Sequence, residues 1–137
     1  MAYDSVRNET VMFGGIDDES RLLDETWIWK GSNWKQVKSL HRPTARRSHA
    51  MVSQGASSGV LLVGGETKHG GGDEVWLWDG GNWERTNAEP EVNQLSEHAL
   101  AYDSKRGKIV LFGGYASSDG LSRSDTWELR SWQTVEV

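Results

Sequence analysis

Cysteine is absent from this chain of 137 residues, and its absence excludes several kinds of site. Without thiols the chain cannot hold a disulfide framework, a thiolate-bound metal or a cysteine nucleophile. Basic residues do not dominate either, since 15 Lys and Arg stand against 20 Asp and Glu and leave a net charge of −5. An acidic protein gains no electrostatic attraction to nucleic acid or to an anionic membrane surface, so we expect neither as a partner.

Long apolar runs are absent as well. The N-terminal sequence MAYDSVRNET lacks the apolar core of a signal peptide, and no later stretch approaches the length of a membrane span. We therefore expect a cytoplasmic protein. Proline is scarce, with only 2 residues, whereas there are 16 glycines and 8 tryptophans. This composition predicts many tight turns around an aromatic-rich β core.

An internal repeat of about 50 residues organises the whole chain. Glycine pairs follow apolar runs at three places, 50 and 49 residues apart, and two sets of tryptophans keep nearly the same spacing. The segments 3–15 and 102–114 align without gaps and share 8 of 13 residues. The repeated residues, which we expect to serve the fold, are Gly14, Gly15, Gly64, Gly65, Gly113, Gly114, Trp27, Trp76, Trp127, Trp34, Trp83 and Trp132.

Each repeat divides into four short predicted strands. In the middle copy these are residues 48–54, 60–65, 74–78 and 82–86, with turns whose Gly and Asn residues accept positive φ. The apolar runs do not alternate cleanly with polar residues, which indicates strands covered on both faces. No stripe with the period of a helix survives the glycines, so the predicted fold class is all-β.

An apolar run ending in Gly-Gly, a Trp-bearing strand about a dozen residues later and then a second Trp resemble the kelch repeat. The resemblance covers essentially the entire chain. It implies a kelch-type β-propeller of four-stranded antiparallel blades around a central channel, with blades at residues 1–38, 48–87 and 97–137. It implies little about chemistry, because kelch propellers include actin binders, ubiquitin-ligase adaptors, sugar-processing enzymes and copper oxidases.

Three blades make half of a six-bladed ring and leave one face of the first blade and one face of the third uncovered. Large apolar faces rarely stay exposed, so we expect a homodimer in which a two-fold axis closes a six-bladed propeller. The alternatives are a different half-propeller as the partner, or a longer propeller of which this chain is a fragment.

The predicted loops divide into a short set and a long set, one at each rim of the blades. The long set consists of the loops between strands two and three and the connectors between blades, at residues 16–25, 66–74, 115–125, 39–47 and 88–97. These loops differ in every repeat. Variable loops on a fixed scaffold predict a binding surface at this rim.

Charge is distributed unevenly over the connectors. Residues 38–47 carry four basic residues and no acid, whereas residues 88–97 carry three glutamates. Guanidinium groups suit carboxylates and phosphates, so Arg42, Arg46 and Arg47 are candidates for binding an anion. The alternatives are a solvated loop, or ion pairs between the basic and the acidic connector.

His49, Glu97 and His98 are further candidates for a binding site, because they lie where innermost strands begin. A histidine that faces the channel could act as a base or a ligand, but its recurrence in both complete repeats favours a structural role. The acidic residues within 17–25 lack the ligand spacing of a calcium loop, so we predict no metal site and no cofactor. Each tryptophan indole is expected in the core, with its N–H bonded to a backbone carbonyl.

These observations predict a non-catalytic scaffold that binds a protein or a small anionic ligand on its long-loop rim. One alternative is a sugar-handling enzyme, by resemblance to kelch-type sialic acid mutarotases, and another is a structural half-propeller that needs a partner chain. A pocket shared by Arg46 or Arg47, His49 and Glu97 would favour the enzyme. The same residues locked in ion pairs between blades would favour the scaffold.

Overall fold

The computed structural model describes residues 1–55, 59–86 and 94–130. Within these residues the protein is all-β, with antiparallel sheets and no helix, so the predicted fold class is confirmed at this level. It follows that no helix of the described part has the length and apolar character needed to cross a bilayer.

The first sheet is a meander of four strands whose spatial order follows the chain. Its strands are β1 (Ala2–Asp4), β2 (Glu9–Ile16), β3 (Leu22–Trp29) and β4 (Trp34–Val37). Every neighbouring pair is antiparallel, so β1 forms one edge of the sheet and β4 the other.

The turn between β1 and β2 is fixed by Asp4, which is fully buried. Its Oδ1 accepts hydrogen bonds from the backbone N–H groups of Val6 and Arg7 at 3.0 and 3.2 Å, and its Oδ2 pairs with the Arg7 guanidinium at 2.8 Å. Asp103 and Arg106 repeat this arrangement in the third sheet. The recurring Tyr-Asp-Ser-x-Arg sequence is therefore a turn in which the aspartate supplies the hydrogen-bond acceptors.

The second sheet is also a four-stranded meander, with a small hairpin inserted between its second and third strands. In chain order the strands are β5 (Ala50–Ser53), β6 (Val60–Val63), the hairpin of β7 (Glu66–Thr67) and β8 (Gly70–Gly71), and then β9 (Val75–Trp78) and β10 (Trp83–Arg85). Strands β5, β6, β9 and β10 correspond to the four strands predicted for the middle repeat, each shortened at one or both ends.

The third sheet is built around one long strand. Its members are β11 (Leu95–Ser96), β12 (Ala99–Asp103), β13 (Lys108–Ala116) and β14 (Leu121–Arg130). Strand β13 pairs with β12 and β11 along one edge and with β14 along the other. The sequence predicts a further outer strand that contains Trp132, which lies outside the described residues.

The Gly-Gly pairs of the first and third sheets form bulges at which the strands change register, whereas β6 of the second sheet ends at Val63, before its pair. The pairing shifts between Phe13 and Gly15 in the first sheet, and both Gly14 and Gly15 have positive φ, at 63° and 113°. The third sheet shifts in the same way at its own Gly-Gly pair. Pairing resumes beyond each bulge, so segments 16–25 and 115–125, predicted as loops, are partly strand. The prediction of loops was wrong there because the pattern marks the bulge and not the continuation beyond it.

The second sheet is buried on both faces, and this burial joins the three sheets. Val60 and Leu62 of β6 pack toward the first sheet, whereas Leu61 and Val63 pack toward the third. This two-sided burial explains why the apolar run does not alternate with polar residues. Strands β1, β5 and β12 occupy the same position in their repeats and lie side by side, with β5 in the middle.

Candidate functional site

Two interfaces between the sheets contain many of the residues that the sequence singles out. The first interface lies between the first and second sheets, and the second interface lies between the second and third sheets. Buried residues of the first interface are Val11, Phe13, Ile28, Val60, Leu62, Trp78 and Trp83. Those of the second are Val52, Leu61, Val63, Val75, Leu77, Leu95, Ile109, Leu111, Ala116 and Leu129. The first interface is thus rich in aromatic rings and the second is aliphatic.

Trp83 is the central residue of the first interface and is 0% exposed. Its ring meets Phe13 edge to face at 5.5 Å between centroids and lies 5.3 Å from the Trp78 ring. Its Nε1 donates a hydrogen bond of 3.0 Å to Oγ1 of Thr26. Trp83 therefore fills the core and satisfies its polar atom across the interface.

The indole partners differ from those expected. Trp27 donates to the Glu25 carboxylate at 2.9 Å, and Trp76 donates to the Glu74 carboxylate at 3.0 Å. The prediction of backbone carbonyl partners is therefore wrong for these indoles, as it is for Trp83. A residue two positions earlier on a strand lies on the same face, which places the carboxylate within reach of the indole.

The repeated glycines make room for the repeated histidines. A Cβ added to Gly14 would stand 2.6 Å from the Arg46 carbonyl oxygen and 3.4 Å from the His49 ring, and one added to Gly65 would stand 2.7 Å from the His49 Cβ. His49 is thus enclosed between the Gly-Gly pairs of the first and second sheets. His98 is enclosed in the same way between the pairs of the second and third sheets.

Both histidines are held in the neutral form. Burial lowers the pKa of His49 to about 4, and the nearby N-terminal amine and Arg46 guanidinium act in the same direction. Burial likewise lowers the pKa of His98 to about 4. A neutral imidazole enclosed between sheets contributes to packing, which agrees with the structural role that the recurrence favours.

Arg46 lies inside the first interface rather than at the surface. It is 0% exposed, and its guanidinium donates to Thr44, to the Gly64 carbonyl at 2.9 Å and to the Glu74 carboxylate at 2.8 Å. Burial alone would raise the pKa of Glu74, but the bonds from Arg46 and Trp76 hold it below its ordinary value. The Arg46 side chain therefore joins the connector to the second sheet.

Arg47 and Glu97 lie together at the surface near the starts of β5 and β12. The Arg47 Nε donates to the Glu66 carboxylate at 2.9 Å, and the two backbones also pair at 2.8 and 3.0 Å. The hydrogen bond to Glu66 raises the pKa of Arg47, and the charge of Glu97 adds to this. The backbone N–H of Glu97 donates to the Ser48 carbonyl at 2.9 Å. Arg47 and Glu97 thus lie near each other, but the ion pair of Arg47 is formed with Glu66.

Arg42 borders a groove of about 850 Å³ between the first connector and the outer strand of the second sheet. We call this the connector groove, and it is lined by Asp24, Leu40, His41, Arg42, Pro43, Thr44, Trp76, Asp79, Asn82, Trp83, Glu84 and Arg85. Arg42 pairs with Asp24 at 2.8 Å across its wall. The connector is attached to the sheet by bonds of 3.1 Å from Leu40 N–H to the Asn82 side chain and from Trp83 N–H to the His41 carbonyl.

Leu40 is the feature of this groove that the sequence analysis missed. Its side chain is 89% exposed beside the groove, although it is the one large aliphatic residue of the connector 39–47. An aliphatic residue among charged neighbours in a connector was a signal available in the sequence. The groove itself was not, because it depends on contacts between residues about 40 positions apart.

The six predicted binding residues therefore occupy three different places. Arg42 lies at the connector groove, and Arg47 and Glu97 lie at the surface near the starts of β5 and β12. Arg46, His49 and His98 lie within the interfaces between sheets. The three arginines each form an ion pair with a carboxylate of the chain itself.

In the described residues, no group of three or more His, Asp or Glu side chains is placed to hold a metal ion. A comparison with protein-family models found no match, and neither did a search of curated proteins.

Proposed function

We propose that the chain forms three blades of a kelch-type β-propeller and acts as a non-catalytic scaffold that binds a protein partner. Two sheets that are complete four-stranded meanders, the bulges at the glycine pairs of the first and third sheets and the side-by-side arrangement of β1, β5 and β12 support this arrangement. In a propeller the first strand of every blade lines the central channel, and β1, β5 and β12 are these strands.

The ion pairs formed by the arginines of the basic connector are the main support for a scaffold that binds no small anion. Arg42, Arg46 and Arg47 already pair with Asp24, Glu74 and Glu66, so a small anion would have to displace a carboxylate to reach any of them. His49 and His98 are enclosed and neutral, which suits packing rather than proton transfer at an open site. The residues that could have formed a reactive centre thus maintain the architecture.

The connector groove is the binding surface of this scaffold. Its volume of about 850 Å³ lies in the range of ligand-binding clefts and accommodates several residues of an extended peptide. Leu40 and Trp76 supply apolar contact on its walls, and Glu84 and Arg85 on β10 supply both signs of charge. The partner is therefore a protein segment that presents an apolar side chain between polar ones.

A peptide display library selected on the purified chain tests this proposal. Leu40→Glu should weaken binding of the selected peptides by roughly tenfold or more, because it places a charge on the apolar wall of the groove. Leu121→Glu is the matched control, since Leu121 is exposed at the start of β14 in the third sheet and is not among the residues that line the groove, so its replacement should leave binding unchanged. Equal binding to both variants, or the absence of any selected peptide, would count against the scaffold. Titration with inorganic phosphate tests the alternative ligand. If phosphate binds and Arg42→Gln abolishes this binding, the groove is a small-anion site instead.

A further inference from the structure

The first and third sheets each have an outer face on which no other sheet lies in the described residues. In the first sheet Val11 and Phe13 face the second sheet, so Thr10, Met12 and their cross-strand partners lie on the outer face. Trp29 and Trp34 are among these partners, and Trp34 is 38% exposed.

The outer face of the third sheet is defined in the same way. Ile109 and Leu111 of β13 face the second sheet, so Val110 and Phe112 point to the other side. Phe112 is 54% exposed, and its cross-strand partner Thr126 is exposed as well.

These two outer faces repeat the central residues of the first interface, although Glu128 and Thr10 stand where Ile28 and Val60 are buried in that interface. Trp34 is the repeat counterpart of Trp83, 49 residues away. Phe112 is the counterpart of Phe13, since each directly precedes a Gly-Gly pair, and Thr126 is the counterpart of Thr26, since each pairs with that phenylalanine. In the first interface Trp83 packs against Phe13 and donates to Thr26.

This match between the outer faces and the first interface does not extend to the second interface. In the second sheet Val63 and Val75 occupy the positions of Phe13 and Thr26. The third sheet thus presents the same two side chains that receive Trp83, on a face where nothing in the described chain uses them.

The tryptophans of the first sheet already have the geometry of the buried pair. Trp29 and Trp34 lie 5.7 Å apart with ring planes inclined by 49°, whereas Trp78 and Trp83 lie 5.3 Å apart at 47°. The Trp29–Trp34 pair is therefore arranged as the buried pair is, before any partner covers it, and its docking requires little reordering of side chains.

The turns at the ends of these faces match as well. In the first interface the Arg7 guanidinium donates to the Asp79 carbonyl and lies against Gly80, at a position a Cβ would fill. Arg106 is the counterpart of Arg7, and Gly31 is the counterpart of Gly80, with φ of 94° and 105°. Nothing lies within 4 Å of the Cβ position at Gly31, so the space that Arg7 occupies over Gly80 is open there.

We propose that a second copy of this chain packs the outer face of its first sheet against the outer face of the third sheet. The Trp34 ring then meets Phe112 and its Nε1 donates to Thr126, as Trp83 does with Phe13 and Thr26. The contact rests on the propeller arrangement proposed above. A two-fold axis repeats it at the opposite side, so two copies enclose one ring of six sheets.

Light scattering on the purified chain tests the proposal, with an expected mass of twice 15.3 kDa. Trp34→Lys and Phe112→Glu should each give monomers that keep the β-sheet circular dichroism spectrum. Mixing the two variants should restore a dimer, because one contact then joins the unchanged Trp34 and Phe112 and the other joins the introduced opposite charges. Leu40→Glu is the control and should remain dimeric, since Leu40 is exposed but lies on neither outer face.

If the wild-type chain remains a folded monomer at micromolar concentration, a second copy does not cover the two outer faces and the proposal is wrong. If the chain is a dimer that neither Trp34→Lys nor Phe112→Glu weakens, the two copies do not meet through Trp34 and Phe112. These outcomes are separate from those of the peptide experiment. Leu40→Glu should weaken peptide binding at the groove without changing the mass of the dimer. Trp34→Lys should halve the mass without changing the residues that line the groove.

Discussion

Trp83 and Thr26 are joined by a hydrogen bond of 3.0 Å across the first interface, although 57 residues separate them in the chain. Both side chains are buried, so the indole N–H has no access to solvent as an alternative partner. This bond fixes the outer strand of the second sheet on β3 of the first sheet. Its removal therefore measures how firmly the two sheets are held together.

Thr26→Val should lower the free energy of unfolding by about 1–3 kcal/mol, because it keeps the shape of the side chain and leaves the buried indole donor unpaired. Urea denaturation followed by tryptophan fluorescence measures the loss. In a Trp83→Phe background, where the donor is already gone, the same substitution should cost much less. An unchanged cost in that background would show that the hydrogen bond is not the origin of the effect.

Arg46→Leu should destabilise the chain by about 3 kcal/mol, because it leaves the Glu74 carboxylate without its buried partner. The adjacent Arg47→Leu is the matched control, since Arg47 forms a half-exposed pair with Glu66 and its removal should cost at most about 1 kcal/mol. Denaturation curves of the two variants at neutral pH give the comparison. Equal costs would mean that the enclosure of Arg46 does not determine its contribution.

The sequence could predict the glycines and the buried Trp83 because the repeat shows which positions every sheet shares, but the expectation of a core position is wrong for Trp34 and Trp127, which are 38% and 39% exposed. Gly14 and Gly64 recur since each must leave space for a connector carbonyl and a histidine, and the fixed spacing makes this visible without a structure. Trp83 recurs for the same reason, as a large ring that fills an interface. Features of this kind depend on the repeat alone.

The sequence could not predict the position of Arg46, because its repeat counterpart is Leu95. One repeat position therefore holds a buried cation in the first interface and an apolar side chain in the second. An arginine in a connector is normally exposed, and only the approach of Glu74 makes its burial favourable. The connector groove escaped prediction for a related reason, since Leu40 and Asn82 come together only when the sheets pack.

Acidification should weaken the fold between pH 6.5 and pH 4. His49 and His98 have pKa values lowered to about 4, against 6.5 when exposed, so the unfolded chain takes up protons first as the pH falls. The stability is fully present above pH 6.5 and decreases toward pH 4, by on the order of 2 kcal/mol per histidine at pH 5. Urea denaturation at pH 7 and pH 5 measures this, and His98→Gln should reduce the difference between the two pH values by about half. An unchanged difference in the variant would exclude His98 as a source of the pH dependence.

Alanine substitution at two equivalent glycines should have unequal costs. Gly64 and Gly113 are each the first glycine of a Gly-Gly pair and have nearly the same φ, at 63° and 67°. The backbone strain caused by Gly→Ala should therefore be about equal at the two positions. A Cβ at Gly64 would meet the Leu95 carbonyl and stand 3.1 Å from the His98 ring, whereas one at Gly113 would meet only the Arg123 carbonyl at 3.4 Å. Gly64→Ala should therefore destabilise the chain by about 1–3 kcal/mol more than Gly113→Ala, the usual cost of overpacking a filled core. Thermal or urea denaturation of the two variants measures the difference, and equal losses would mean that left-handed backbone geometry, rather than the enclosed histidine, requires glycine at this position.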